Sequence, residues 1–534
     1  MAVNMTSKII LAKDIRLDRA HENVVDISVN DMLGVMNSNT HYVASANDFS
    51  FIRATGTLKA DINYDSALIA NYLAFQNPSY SNKWFFAFID RIEYKGENCI
   101  EIFYTVDNWM TWFKDLTLLP VLVEREHTND DTFGNNNLAE PVTSNNIIVS
   151  HNDRVDFSTY NVIVFFVPSV GFSAADLPFD VDDKYLSPVR AYRYPGDISG
   201  VTDLVTDLAD PSVMGGGDVM AMFMYPQNLI DPTIVNNNRK WMSGSISMVD
   251  IDKDTVQITT LNGYTPKNQK MFTYPYCWCE VDNGSNSVKY EYEFFAQPAG
   301  SNPNRKQGHF KISGAPLPDG GITVYPTGYL GSGSGNKNPY YAISICDMPQ
   351  IAYPMDTYAA WLAQKGSIAI PQGLIAAFSG MTGGAKGGGA GAGAGAVTGA
   401  LGFALNYQNE SFQAEAASDS LKGYASASLD MIGGIQGFNF KHMSLKYDEA
   451  KRIDHFFSMF GYNTGLVKIP NITGRTYWNY IKINGVLGHG PIPAGAMEDI
   501  NNIANKGVTI WHSHDNVGNY TIGDSDLANP IVTP

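Results

Sequence analysis

Cysteine is scarce in this chain: four residues among 534, at Cys99, Cys277, Cys279 and Cys346. A disulfide framework at this length needs more, so the fold must rest on apolar burial and reads as one made in a reducing cytoplasm. Charge is scarce as well, at 17% of residues where a quarter is usual. It is also unbalanced, with 36 Lys and Arg against 53 Asp and Glu and a net charge of −17. That balance argues against wrapping or sequence-specific contact with nucleic acid, which needs Lys and Arg to neutralise phosphates. It does not exclude passage, because an acidic wall repels phosphate and lets DNA slide by. No signal peptide is expected, since Met1 to Lys13 has no apolar core followed by a small-residue cleavage site.

Apolar residues (44%) and aromatics (12%) are plentiful enough for sizeable cores. The first 350 residues carry mostly β signals. Trp84 to Ile89 and Ile100 to Tyr104 flank Lys95-Gly96-Glu97-Asn98 and predict a hairpin. The apolar run Val162 to Val167 predicts a strand covered on both faces. Hairpins are also expected for Ile246 to Ile258 around Asp252-Lys253-Asp254, for Tyr276 to Phe295 around Asn283 to Asn286, and for His309 to Tyr325 around Pro318 to Gly321. Helical spacing is rare. It covers Asp356 to Gln364 and, more strongly, Tyr447 to Phe460, where Ile453, Phe456, Phe457 and Phe460 share a core face and Gly461 closes the helix. The expected class is mainly β, barrel or sandwich domains with few helices.

Catalytic and ligand motifs mostly fail on spacing. Gly391 to Ala396 follows no predicted strand, and Gly387 follows Lys386 where a phosphate loop needs Ser or Thr. Asp250, Asp252 and Asp254 start like a calcium loop, but Thr255 replaces its glycine and Leu261 its final glutamate; a solvated hairpin tip is the expectation. His512, His514 and Asp515 are the best metal candidate, because His-x-His on a strand presents both rings on one face. Three ligands in four residues fall short of a set, so a surface or subunit-contact role is expected there. Cys277 and Cys279 read as buried thiols. No acid and base pair for hydrolysis stands out, so no enzyme, no cofactor and no metal are expected.

One segment breaks the pattern. From Gly366 to Asn409 the only charged side chain is Lys386, and Gly380 to Gly402 is nearly half glycine. Apolar arms flank it, Leu374 to Phe378 and Val397 to Leu405, and an Ala/Ser-rich amphipathic stretch runs on to Ile435. Three readings stay open on composition: a flexible linker, a constitutive membrane span, or a loop stored in a cavity that enters a bilayer when released. Each glycine costs a helix about 1 kcal/mol relative to alanine, which weighs against a constitutive span.

Three regions together resemble one family. The first holds Phe75-Gln-Asn77, Tyr80, Asn82-Lys83-Trp84-Phe85-Phe86-Ala87-Phe88, Glu93-Tyr94, Asp107-Asn-Trp-Met-Thr111-Trp112 and Val123-Glu-Arg125-Glu126-His127. The second is Trp361-Leu362-Ala363-Gln364, ahead of the glycine-rich segment. The third comprises Arg452-Ile453-Asp454-His-Phe456-Phe457, Gly461-Tyr462, Lys468-Ile-Pro470-Asn471, Arg475, Trp478-Asn479-Tyr480 and Gly507 to His512. This ordered set resembles the tail knob, or distal tail tube, proteins of Picovirinae-type short-tailed Bacillus phages.

The resemblance implies a virion tail protein made in the host cytoplasm, a homo-hexamer whose β-barrel-like tube domains come from both chain ends. On that pattern residues 1–160 begin the tube, 161–350 form an inserted β-rich knob, 351–440 hold a short helix and the loop (about 366–437), and 441–534 complete the tube. The loops would plug the channel and later form a pore in the host membrane, with Leu374, Ile375, Phe378, Val397, Leu401, Phe403 and Leu405 as lipid-facing anchors. Implied partners are the lower collar or upstream tube, tail-tip proteins, transiting double-stranded DNA bound without sequence preference, and the host membrane. The alternative is a receptor-binding or scaffold tail protein whose Gly/Ala tract is a linker.

Overall fold

A computed structural model describes residues 8–47, 49–52, 56–77, 81–157, 160–166, 190–195, 198–209, 219–230, 240–241, 249–284, 286–300, 302–315, 321–345, 437–522 and 529–532. The chain is mainly β, with a nearly closed, barrel-like sheet. It folds as two compact units. The first takes Met1–Asn146, Thr260–Tyr276 and Leu445–Pro534; the second takes Ile147–Thr259 and Cys277–Ser444.

The first unit holds a seven-stranded antiparallel sheet in the order Tyr42–Ala46, Ile9–Ala12, Tyr72–Asn77, Lys83–Gly96, Cys99–Val106, Thr57–Asp61, Phe49–Ile52. Its central hairpin follows from alternation: Ile100, Ile102 and Tyr104 are buried while the residues between them stay partly exposed, the period of a pleated strand with one covered face. A five-stranded sheet runs Asn23–Val25, Val508–Trp511, Trp478–Asn484, Val121–Glu126, Tyr462–Lys468. Asn23–Val25 lies parallel to Val508–Trp511, so the two ends of the chain share one ladder. A single core joins Leu73, Phe75, Ile102 and Trp109 with Val123, Ile481, Ile500 and Ile510. Helix Tyr447–Phe460 buries Ile453 and Phe457 and ends where Gly461 turns to φ 66°, a conformation that side chains disfavour. A methyl group on Gly461 would also strike the Glu126 carbonyl.

The second unit contains three four-stranded sheets among the described residues. Tyr160–Phe166 lies inside one of them, paired to Arg190–Pro195 and Val219–Pro226. Val162 to Phe166 are all buried, as a continuous apolar run requires. The second sheet runs Ile147–Asp156, Gly437–Leu445, Cys277–Asp282, Ser287–Tyr290, and the third Ile251–Asp254, His309–Gly314, Ile322–Pro326, Ile343–Ile345. Asp252-Lys253-Asp254 is therefore an edge strand and not a hairpin tip. Its charges guard an open edge, with Lys311 pairing with Asp252 and Lys253 with Asp153. Rings of Tyr290, Phe310 and Phe440 pack edge-on between the second and third sheets, with centroids 5.1 and 5.2 Å apart.

Candidate functional site

The seven anchor residues Leu374, Ile375, Phe378, Val397, Leu401, Phe403 and Leu405, and the expected helix Asp356 to Gln364, lie outside the described residues. Their flanks are described, and both attach to one hairpin of the second unit. On the outgoing side, strand Ile343–Ile345 is held as Asn283 Nδ2 donates to the Ser344 carbonyl at 2.7 Å. Just before it, Tyr290 Oη donates to the Tyr341 carbonyl at 2.6 Å. On the return side, strand Gly437–Leu445 pairs with Cys277–Asp282, setting Asn439 opposite Asp282. Asp282 accepts from Asn439 Nδ2 at 3.0 Å and from Lys441 Nζ at 2.5 Å. Burial pushes its carboxyl up, but these two donors more than offset that and hold it below the usual range. Gly437 already belongs to the strand: a Cβ there would come within 2.1 Å of the Val155 carbonyl oxygen. The described flanks of segment 346–436 thus both reach the hairpin of Cys277–Asp282 with Ser287–Tyr290, the outgoing flank through side-chain hydrogen bonds and the return flank by strand pairing.

Within the first unit, the signature residues converge on a buried polar hub. Asp454, fully buried on helix Tyr447–Phe460, accepts from Tyr264 Oη at 2.8 Å, Lys267 N at 2.9 Å, Asn268 N at 3.1 Å and Asn268 Nδ2 at 2.9 Å. It fastens the excursion Thr260–Tyr276 to the helix. Glu140 pairs with Arg125 and with Lys270, the latter at 2.6 Å, and Arg125 Nη1 donates to the Gly461 carbonyl at 2.6 Å. Tyr462 Oη donates to Asp131 at 2.5 Å. Glu126 accepts from Asn471 N at 2.8 Å and pairs with Lys468. His127 Nδ1 accepts from Tyr480 N at 2.9 Å while Nε2 faces the Ser458 carbonyl at 3.1 Å, so the ring is the neutral Nε2–H tautomer. Burial, with help from the Arg475 cation, pulls its pKa down to about 3. These groups satisfy one another and brace chain segments, since a buried charge is tolerated when paired and hydrogen-bonded. The motif Arg452 to Phe457 marks this hub in the sequence; its partners Glu140 and Asn268 carry no such mark.

The remaining candidates rearrange. The strand before His512 ends at Trp511, so His512 and His514 do not share a strand face. His512 Nε2 meets Asn479 Oδ1 at 3.1 Å, whereas His514 is buried and faces His41, with ring centroids 5.2 Å apart. Of the surface or subunit-contact group expected there, His514 is thus buried and Asp515 exposed. Cys277 and Cys279 are fully buried, and burial pushes both thiols up, away from reactivity. Beside them, burial takes the His442 pKa down to about 4, and its Nδ1 is hydrogen-bonded with Tyr292 Oη at 2.9 Å.

Comparison with known proteins identifies the class first. Residues 5–117 match the family described as Caudoviral major tail protein N-terminus. Residues 234–530, more than half of the chain, match the family described as Bacillus phage phi29 tail knob protein gp9, C-terminal domain, and the chain belongs to that family. It is similar to the tail knob protein gp9 of Bacillus phage phi29, 24% identical over 530 residues that cover 86% of this chain and 88% of that protein. The tail knob protein gp9 of Bacillus phage B103 is 23% identical over 557 residues, covering 91% and 92%. The solved tail knob protein gp12 of bacteriophage C1 shares the fold at a TM-score of 0.63 and 15% identity, over 98% of this chain and 100% of that one. The chain is thus a structural component of the virion tail that assembles with other tail components, and it is not an enzyme.

Proposed function

We propose that six copies of this chain assemble into the distal conduit through which the genome leaves, that the first unit builds the tube and the second the knob, and that residues 366–436 plug the channel and then insert in the host membrane as a pore. The observation that carries this reading is a long segment with one charge between Gly366 and Asn409, whose two flanks both contact one hairpin. A segment rooted at one spot can change environment without disturbing the sheets that hold it. Small residues allow copies to pack closely in lipid, where backbone groups must bond to one another. While stored, the apolar arms bury each other, so release needs a trigger or a waiting bilayer. A net charge of −17, repeated around a ring, suits a conduit that DNA must not adhere to.

The experiment is dye release from liposomes, wild type against a deletion of residues 366–436, with oligomeric mass measured on the same samples. Leakage that requires the segment, from a ring of about six subunits, is the expected result. A ring that leaks nothing even after heat or acid challenge reduces the segment to a plug or linker. A monomer that leaks nothing removes the conduit and favours a receptor-binding or scaffold role.

A further inference from the structure

We propose that His41, His514 and Asp515 bind one transition-metal ion of the zinc class, bracing the first unit between an early turn and its terminal segment. His41 sits in the turn between helix Val29–Met36 and strand Tyr42–Ala46. His514 and Asp515 open the short 3-10 turn His514–Asn516 that follows strand Val508–Trp511. One donor atom from each of the three lies within 4.8 Å of the others. Two imidazoles and a carboxylate are the donor set of open zinc sites, in which water takes the fourth position.

Two observations point to a ligand there. His514 has a side chain only 2% exposed, yet neither ring nitrogen has a hydrogen-bond partner. The Asp515 carboxylate lies 3.5 Å from its Nδ1. A buried, unpartnered imidazole is costly, and a metal ion would satisfy it. The second observation is the tautomer of His41. Its Nδ1 lies 3.0 Å from the Lys13 carbonyl, which can only accept, so Nδ1 carries the proton and Nε2 keeps its lone pair. Metal-binding histidines are oriented in this way, the far N–H donating to a carbonyl. Donors around zinc stand about 3.4 Å apart. The exposed Asp515 side chain is free to swing and close the remaining gap, while Arg16 Nη1 holds its carbonyl at 3.1 Å. His512 takes no part, being turned to Asn479.

The test uses the full chain, stripped with chelator and dialysed against micromolar Zn2+, with bound metal counted by mass spectrometry and the thermal midpoint recorded. About one Zn2+ per chain is expected, with a midpoint several degrees above that of the stripped protein. Substitutions His41→Gln and Asp515→Asn should each lower affinity at least tenfold; His512→Gln should bind as wild type. Co2+ in place of Zn2+ should give visible bands of a four- or five-coordinate ion that vanish in His41→Gln. A stripped chain that takes up no zinc overturns the proposal. So does zinc retained equally by the His41→Gln and Asp515→Asn chains, which would place the metal elsewhere.

Discussion

Both nitrogens of His127 are committed, one to accept from Tyr480 N and one to donate to Ser458 O, so a second proton must break a buried hydrogen bond. Its folded pKa of about 3 lies below the ordinary 6.5, so the unfolded chain takes up the proton first. Stability is therefore whole above about pH 6.5 and falls as pH drops toward 3, by about 3 kcal/mol at pH 4 for this residue alone. Urea midpoints measured between pH 7 and pH 4 should show that decline, and His127→Gln should flatten its slope by about one proton. An equal slope in the variant would mean that other groups carry it. At this scale the sequence is only partly legible. His127 and Asp454 fall inside recognisable motifs, because a hub needs fixed residue types. Glu140, Asn268 and His41 do not, because each reaches its partner through folding and no local spacing announces the meeting.

Elements were easier to read where turn chemistry and periodicity agree. Asn283 and Gly284 stand between Cys277–Asp282 and Ser287–Tyr290, and Gly461 ends Tyr447–Phe460, where the sequence places them. Reading failed where surface charge imitates a turn, as in strand Ile251–Asp254. It also failed where a helix shows a thin stripe: Ala494–Lys506 buries only Ala496, Ile500 and Ala504, among Asn and Gly residues of low helix propensity. Strand Gly437–Leu445 is paired within its sheet between Ile147–Asp156 and Cys277–Asp282. Its amides should therefore keep their hydrogen-exchange protection when residues 366–436 are removed and the ends joined by a short glycine-serine linker. A protection factor lost more than about tenfold would show that the segment helps to build its own root.

For the whole molecule, the decisive question is whether the apolar arms meet lipid. Replacing Val397, Leu401 and Leu405 with Asp places three charges where insertion tolerates few, at roughly 3 kcal/mol each. Such virions should assemble and adsorb normally but fail to deliver their genome. Wild-type infectivity in plaque assays would rule the pore out. Tail membership was legible because a long ordered set of motifs spans the chain. Of the proposed ion ligands, His514 and Asp515 stood out in the sequence, whereas His41 did not, because it comes from the opposite end of the chain. That same closure of the ends has a further consequence during synthesis. Strand Val121–Glu126 lies against Tyr462–Lys468 and Trp478–Asn484, and Asn23–Val25 waits for Val508–Trp511. At about 5–20 residues per second, a ribosome needs roughly 20–80 s to make the stretch between the two halves. Strand Val121–Glu126 therefore waits that long for its partners on both sides, and a translation product truncated before Tyr462 leaves its ladder unmade.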